Sequence, residues 1–241
     1  MSILSLAFLA QTMFLSGTAA GSVHGYYTAP KSSEDRVGTE TIQKSLRLGS
    51  GGTILLDTEL GNVSISEYDG SDVKVELQLE GTPEDVANFH FTHDYFGNQV
   101  TLKGWYGNNG ETQDPKFRQA HFTIMIPRDS SYSIRTDTRL GNIKAVLSNK
   151  TKAVDLSADA GSVWVKLPCD ISATLDASTS GIGGVELTPE ESVAKLGFAG
   201  EIQKNDHIKG KMNGGGPEIN AYAGAGNVRF EIVQGKQKNP D

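Results

Sequence analysis

The 241-residue sequence has a single cysteine, Cys169. One thiol excludes an intramolecular disulfide framework and any zinc or iron–sulfur site built from several cysteines. Proline is scarce, with 8 residues, so neither a collagen-like repeat nor proline-rich disorder fits. Positive charge is in deficit: 22 Lys and Arg stand against 29 Asp and Glu, a formal net charge of −7. Nucleic-acid binders need a basic face for phosphates, so nucleic acid is not an expected partner. Helical periodicity is nearly absent, and no apolar run reaches the roughly 20 residues of a spanning helix. Also missing are the G-x-x-x-x-G-K-[ST] phosphate loop, the G-x-S-x-G nucleophile elbow and the GGxGxDxUx calcium repeat. The clusters Gly181–Gly184 and Gly214–Gly216 therefore read as turns.

What is abundant is glycine, 28 residues, together with short stretches of alternating apolar and polar side chains. Thr53–Thr58, Val63–Tyr68, Val73–Leu79, Val100–Lys103, Ala120–Ile126, Tyr132–Thr136, Ile143–Leu147, Val163–Leu167, Ile171–Leu175 and Val228–Val233 show this period of two. Half-buried strands have that signature. The sequence predicts one short helix after Thr82-Pro83 and a second at Pro189–Lys195. The first 20 residues read as a secretory signal: Ile3–Leu15 is apolar, Ser16–Ala20 is small, and Thr18 and Ala20 suit a cleavage site. No Lys or Arg precedes the apolar run, so only the amino terminus supplies charge there. An extracytoplasmic location follows: periplasm, cell surface or medium, with no stable membrane span after cleavage. Residues 21–41 form a polar tail, 42–233 a single domain with a hairpin and loop insertion near 82–118, and 234–241 a C-terminal tail.

Within the domain a phrase recurs. Leu60-Gly61-Asn62-Val63 returns as Leu140-Gly141-Asn142-Ile143, Ala160-Gly161-Ser162-Val163 and Ala225-Gly226-Asn227-Val228, with weaker copies at Gly183-Gly184-Val185 and Ala199-Gly200-Glu201. Glycine reaches positive φ at low cost, so each copy marks a tight turn between short strands. Units of this size cannot bury an apolar face alone, and stacking them makes a continuous core. The fold expected is therefore all-β: an elongated, β-helix-like β-solenoid with glycine-marked rungs of about 20 residues. The rival is a meander of hairpins. Val63, Ile65, Ile143, Val163, Val165, Val185, Leu187, Val228 and Phe230 follow the glycines at equivalent positions and form the predicted interior columns.

The order of these features resembles the bacterial putative adhesin family, a domain of unknown function related to autotransporter-adhesin head domains. The opening Leu60-Gly61-Asn62-Val63 carries the resemblance. So do the strand Phe122–Ile126 ending at Pro127, Tyr132–Thr136 and the later glycine-marked turns, over roughly residues 42–233. It implies an extracytoplasmic, solenoid-like, all-β protein with no catalytic motif to transfer.

Several clusters hold chemistry-bearing side chains, each with a plainer role beside it. His90, His93 and Asp94, with His121 further on, contain metal-ligand types. In a strand, however, His90 and Asp94 point away from His93, so surface histidines are the simpler reading. Asp57, Asp137, Asp155, Asp159 and Asp176 suggest either calcium ligands or the carboxylates of a polysaccharide-active enzyme. Near turns, Asp and Thr more often cap backbone groups. Cys169 follows Pro168 and has no histidine beside it in sequence. Trp105, Tyr106, Asn108 and Asn109 are the expected partner contacts. Trp164 alternates outward between Val163 and Val165, as a packing plug or a contact. No cofactor or metal is expected. The function anticipated is a non-enzymatic, adhesion-type envelope protein presenting a repetitive surface to a protein or glycan, with self-association through open solenoid ends. The alternatives are the polysaccharide-active enzyme and a periplasmic regulatory module.

Overall fold

The computed structural model describes residues 38–107, 119–180, 182–189, 197–203 and 206–233. The signal segment, residues 21–37 of the predicted N-terminal tail, residues 108–118, the C-terminal tail and most of the predicted second helix lie outside these residues, whereas 38–41 are strand. In chain order the elements are β1 (Gly38–Leu46), β2 (Thr53–Leu60), β3 (Asn62–Tyr68), β4 (Val73–Gly81), α1 (Pro83–Ala87), β5 (Phe89–Phe96) and β6 (Gln99–Tyr106). They continue with β7 (Gln119–Pro127), β8 (Ser133–Leu140), β9 (Ile143–Val146), β10 (Val154–Ala160), β11 (Val163–Pro168) and β12 (Ala173–Thr179). The last are β13 (Val185–Thr188), β14 (Phe198–Gln203), β15 (His207–Met212), β16 (Glu218–Ala225) and β17 (Val228–Val233).

The alternation seen in sequence becomes two faces per strand. In β2, Ile54, Leu56 and Thr58 are buried while Leu55 and Asp57 face out. The inward sets of both sheets merge into one core, which includes all nine predicted column residues. Each large aliphatic side chain removed from water contributes about 1.5–3 kcal/mol.

The strands form two mixed sheets packed as a sandwich. One has eight strands, ordered β1-β4-β7-β3-β9-β11-β17-β13. The other has nine, ordered β14-β15-β12-β16-β10-β8-β2-β6-β5. The solenoid expectation is corrected by this order. A solenoid stacks consecutive units as neighbours, whereas here the last unit, β16–β17, enters between β10–β11 and β12–β13. Antiparallel pairs β1·β4, β4·β7, β5·β6, β12·β15 and β14·β15 extend the sheets, which regular rungs would not allow. Glycine punctuation reveals the unit, but the turn chemistry is the same whether the next unit stacks or inserts. Among the described residues the sheets end at β1 and β13 and at β14 and β5, so the expected solenoid ends do not exist.

The unit itself is a strand of the nine-stranded sheet, a glycine corner, and a strand of the eight-stranded sheet. Gly61, Gly141, Gly161, Gly226 and Gly183 occupy five such corners, with φ between +135° and +156°. A Cβ on Gly161 would stand 1.9 Å from the Gly141 carbonyl oxygen, and one on Gly141 2.0 Å from that of Gly61. The corners thus pack backbone on backbone, a space that admits no side chain. A polar ladder runs beside them. Asn142 N donates to Asn62 Oδ1 (2.9 Å), Ser162 N to Asn142 Oδ1 (2.9 Å), Asn227 N to Ser162 Oγ (3.1 Å) and Gly184 N to Asn227 Oδ1 (2.9 Å). The fifth corner is therefore Gly183, with Gly184 standing where the others carry Asn or Ser. Gly200 is no corner; it pairs with Gly210 between β14 and β15.

The predicted helix after Thr82 is α1, closed by a capping box. Asp85 N donates to Thr82 Oγ1 (3.1 Å), and Thr82 N donates to Asp85 Oδ2 (3.4 Å), with proline in the first turn. Among the described residues no helix is long and apolar enough to cross a membrane.

Candidate functional site

Parallel register carries outward side chains into rows across the nine-stranded sheet. One row reads Lys103, Asp57, Asp137, Ser157, Tyr222, Ser178 and His207. The next reads Thr101, Leu55, Arg135, Asp155, Asn220, Asp176 and Lys209. Asp57, Asp137, Asp155 and Asp176 therefore share a face. Asp159 joins Asp57, Asp137, Ser157 and Arg139 around a shallow depression of about 310 Å³. A second depression, about 360 Å³, lies between Asp155, Asp176, Lys209, Asn220 and Tyr222.

Cations are interleaved among these carboxylates. Arg135 Nε donates to Asp137 Oδ2 at 3.0 Å, and Lys209 Nζ to Asp176 Oδ2 at 2.8 Å. The hydrogen bond to Asp137, reinforced by the charges of Asp137, Asp155 and Asp57, raises the Arg135 pKa. The hydrogen bond and charge of Asp176 do the same for Lys209. These groups are exposed, and such pairs fix side-chain direction more than they add stability. The result is an open, ordered polar surface.

Trp105 and His90 close one end of this face. They are paired across β6 and β5, with ring centroids 5.3 Å apart. Tyr106 points elsewhere: its hydroxyl donates to Oδ1 of buried Asp85 (2.7 Å), locking the end of β6 onto α1. Burial, then the hydrogen bond and charge of Asp85, raise the Tyr106 pKa. Asn108 and Asn109 lie outside the described residues.

The histidines do not converge. His90 and Asp94 are in β5 of the nine-stranded sheet; His121 is in β7 of the eight-stranded sheet, paired with Asn62 and Gln78. Partial burial lowers the His121 pKa. Among the described residues no three His, Cys, Asp or Glu side chains are grouped to hold a metal ion. Cys169 is a partly buried free thiol against the core.

The eight-stranded sheet holds the arrangement that sequence reasoning missed. Trp164, 37% exposed, is ringed by three cations: Lys144 Nζ at 5.5 Å, Lys166 Nζ at 5.7 Å and the Arg229 guanidinium at 5.4 Å from the ring centroid. Its indole N–H donates to Glu231 Oε2 (3.1 Å), and Lys166 bridges to Glu231 Oε1 (3.0 Å). Glu231 is held below the ordinary carboxylate range, chiefly by the Lys166 hydrogen bond. Arg229 pairs with Glu186 at 3.0 Å. The signal was present: aligning the glycine phrases puts Ser64, Lys144, Trp164, Glu186 and Arg229 in one column, since each lies two residues after the Asn, Ser or Gly beside a corner.

No family model matches the sequence, and no curated protein matches it. Solved structures do. A putative cell adhesion protein from Clostridium sporogenes aligns over 82% of this chain and 100% of its own, with a TM-score of 0.55 and 15% identity. The two share a fold. A putative adhesin from Parabacteroides merdae aligns over 64% of this chain and 63% of its own (TM-score 0.28, 14% identity). One from Bacteroides fragilis aligns over 80% and 97% (TM-score 0.24, 12% identity). These last two overlays are too loose to bear on architecture. The structure neighbours thus carry the same kind of name as the family that the glycine phrases resemble.

Proposed function

We propose that this is an exported, non-enzymatic, adhesion-type protein of the bacterial cell envelope. It displays the outer faces of a rigid sandwich to a protein or glycan partner. The carrying observation is the ordered polar surface of the nine-stranded sheet, bounded by Trp105. Seven strands in parallel or antiparallel register hold its side chains at fixed spacing, and an aromatic at the rim, tilted against His90, supplies an apolar contact within it. Aromatic side chains of this kind anchor interfaces and stack on sugar rings. Tyr106 holds the Trp105 strand end in place through Asp85.

The polysaccharide-active reading of the aspartates fits this face less well. A glycosidase acid is a carboxyl kept protonated by an apolar pocket. Here the carboxylates stand in the open, and Arg135 and Lys209 bind two of them as ions.

A panel of envelope glycans and proteins, screened by immobilised binding with reducing ends assayed in parallel, tests the proposal. Binding that weakens with Trp105→Ala, with the glycan recovered unchanged, is the expected result. Release of reducing ends that disappears with Asp137→Asn or Asp159→Asn overturns it.

A further inference from the structure

We propose that the outer face of the eight-stranded sheet around Trp164 is a binding site for an acidic saccharide bearing carboxylates. This site lies on the other sheet from Trp105. It rests on the reading of the chain as a binding protein, not on the Trp105 surface.

The row running across β3, β9, β11, β17 and β13 is Ser64, Lys144, Trp164, Arg229 and Glu186. The indole, 37% exposed between the cations that lie over its ring, offers an apolar contact to the C–H groups of a pyranose. Lys144 and Arg229 flank it on the neighbouring strands. Neighbouring strands lie about 4.8 Å apart, so these two cations stand roughly 10 Å from each other. That separation suits carboxylates two sugar residues apart along a uronate chain laid across the strands.

The charge is suited to an anion. Three cations, Lys144, Lys166 and Arg229, face two carboxylates, Glu231 and Glu186, in a protein whose net charge is −7. Among the described residues Lys144 makes no ion pair; its ammonium rests on the indole and is free to meet an incoming carboxylate. Arg229 also has Thr188 Oγ1 within 3.4 Å of its Nε, which fixes the guanidinium plane. Glu231 holds the indole through its N–H, so the ring is pre-oriented before any ligand arrives.

The test uses the full chain with oligogalacturonate, its neutral methyl ester and dextran sulfate as probes, by calorimetry and tryptophan emission. Oligogalacturonate is expected to bind, with affinity falling as salt rises. Trp164→Ala and Lys144→Glu should each weaken it by about tenfold or more. Lys144 is exposed and unpaired, so its variant folds even if loss of the indole disturbs the sheet. Three results overturn the proposal: no binding at millimolar probe, equal binding of the neutral ester, or dextran sulfate binding that ignores Trp164. Glycan binding lost only with Trp105 would overturn this site and leave the wider function standing.

Discussion

Gly161→Ala tests the corner geometry in a way no surface variant can. The residue has φ +156°, and its new methyl would sit 1.9 Å from the Gly141 oxygen and 2.6 Å from the Gly141 carbon. Both are backbone atoms, so nothing can rotate away; the two corners must separate. Backbone strain at such a φ costs about 1–3 kcal/mol. Separation also strains the hydrogen bond from Gly141 N to Ala160 O (3.0 Å), worth about 1 kcal/mol. A total of roughly 2–4 kcal/mol is a large part of the 5–15 kcal/mol that holds a typical domain together. At about 2–4 °C per kcal/mol for a domain of this size, the melting temperature should fall by around 10 °C. Gly97→Ala is the control: its φ is +60° and nothing lies within 4 Å of the added methyl, so only the left-handed penalty of about 1 kcal/mol applies. Urea titration followed by circular dichroism measures both. If Gly161→Ala costs no more than Gly97→Ala, the backbone-on-backbone corner is wrong.

Thr136 Oγ1 is buried and has no hydrogen-bond partner among the described residues, so Thr136→Val should leave stability unchanged or raise it by up to about 1 kcal/mol in the same titration. Asn142→Ala removes the acceptor for Ser162 N and should cost about 1 kcal/mol, read as a shifted urea midpoint with unchanged slope. The raised Tyr106 pKa means the folded state favours the protonated phenol. Its contribution is present below the unfolded value of 10.0 and is lost as pH rises through the higher folded value. The difference between wild type and Tyr106→Phe in alkaline ultraviolet titration should therefore show one tyrosine ionising late. In a Trp105→Phe background, iodide should quench the remaining emission more than caesium, because Trp164 is ringed by cations. Equal quenching would contradict that ring.

Much of the local structure is legible in the sequence because strand alternation and glycine corners are short-range effects. The interior columns from Val63 to Phe230 follow directly from position relative to each glycine. Strands β10 and β16 are harder to see: their inward residues include Ala158, Ala221 and Ala223, too small to make the alternation obvious. The order of units is invisible because it depends on which strand pairs with which over long separations. Ser157 meets Tyr222, 65 residues on, and Asp57 meets Asp137. For the same reason the shared face of the aspartates emerges only with the register. Tyr106 looks like a contact residue in sequence, and only the fold brings it to Asp85. Trp164 shows the opposite case, since its cationic neighbours could have been read from the aligned phrases.

Strand order decides which side chains share a face, so the insertion of β16 between β10 and β12 is the feature to measure first. In a Cys169→Ser background, cysteines at Ser157 and Tyr222 should form a disulfide on mild oxidation, because register neighbours lie within the 4.4–6.8 Å Cα range of that bond. Cysteines at Ser157 and Ser178, one strand further apart, should stay reduced. The reverse outcome, with 157 linking to 178 and not to 222, would restore units stacked in chain order and break up the surfaces described above.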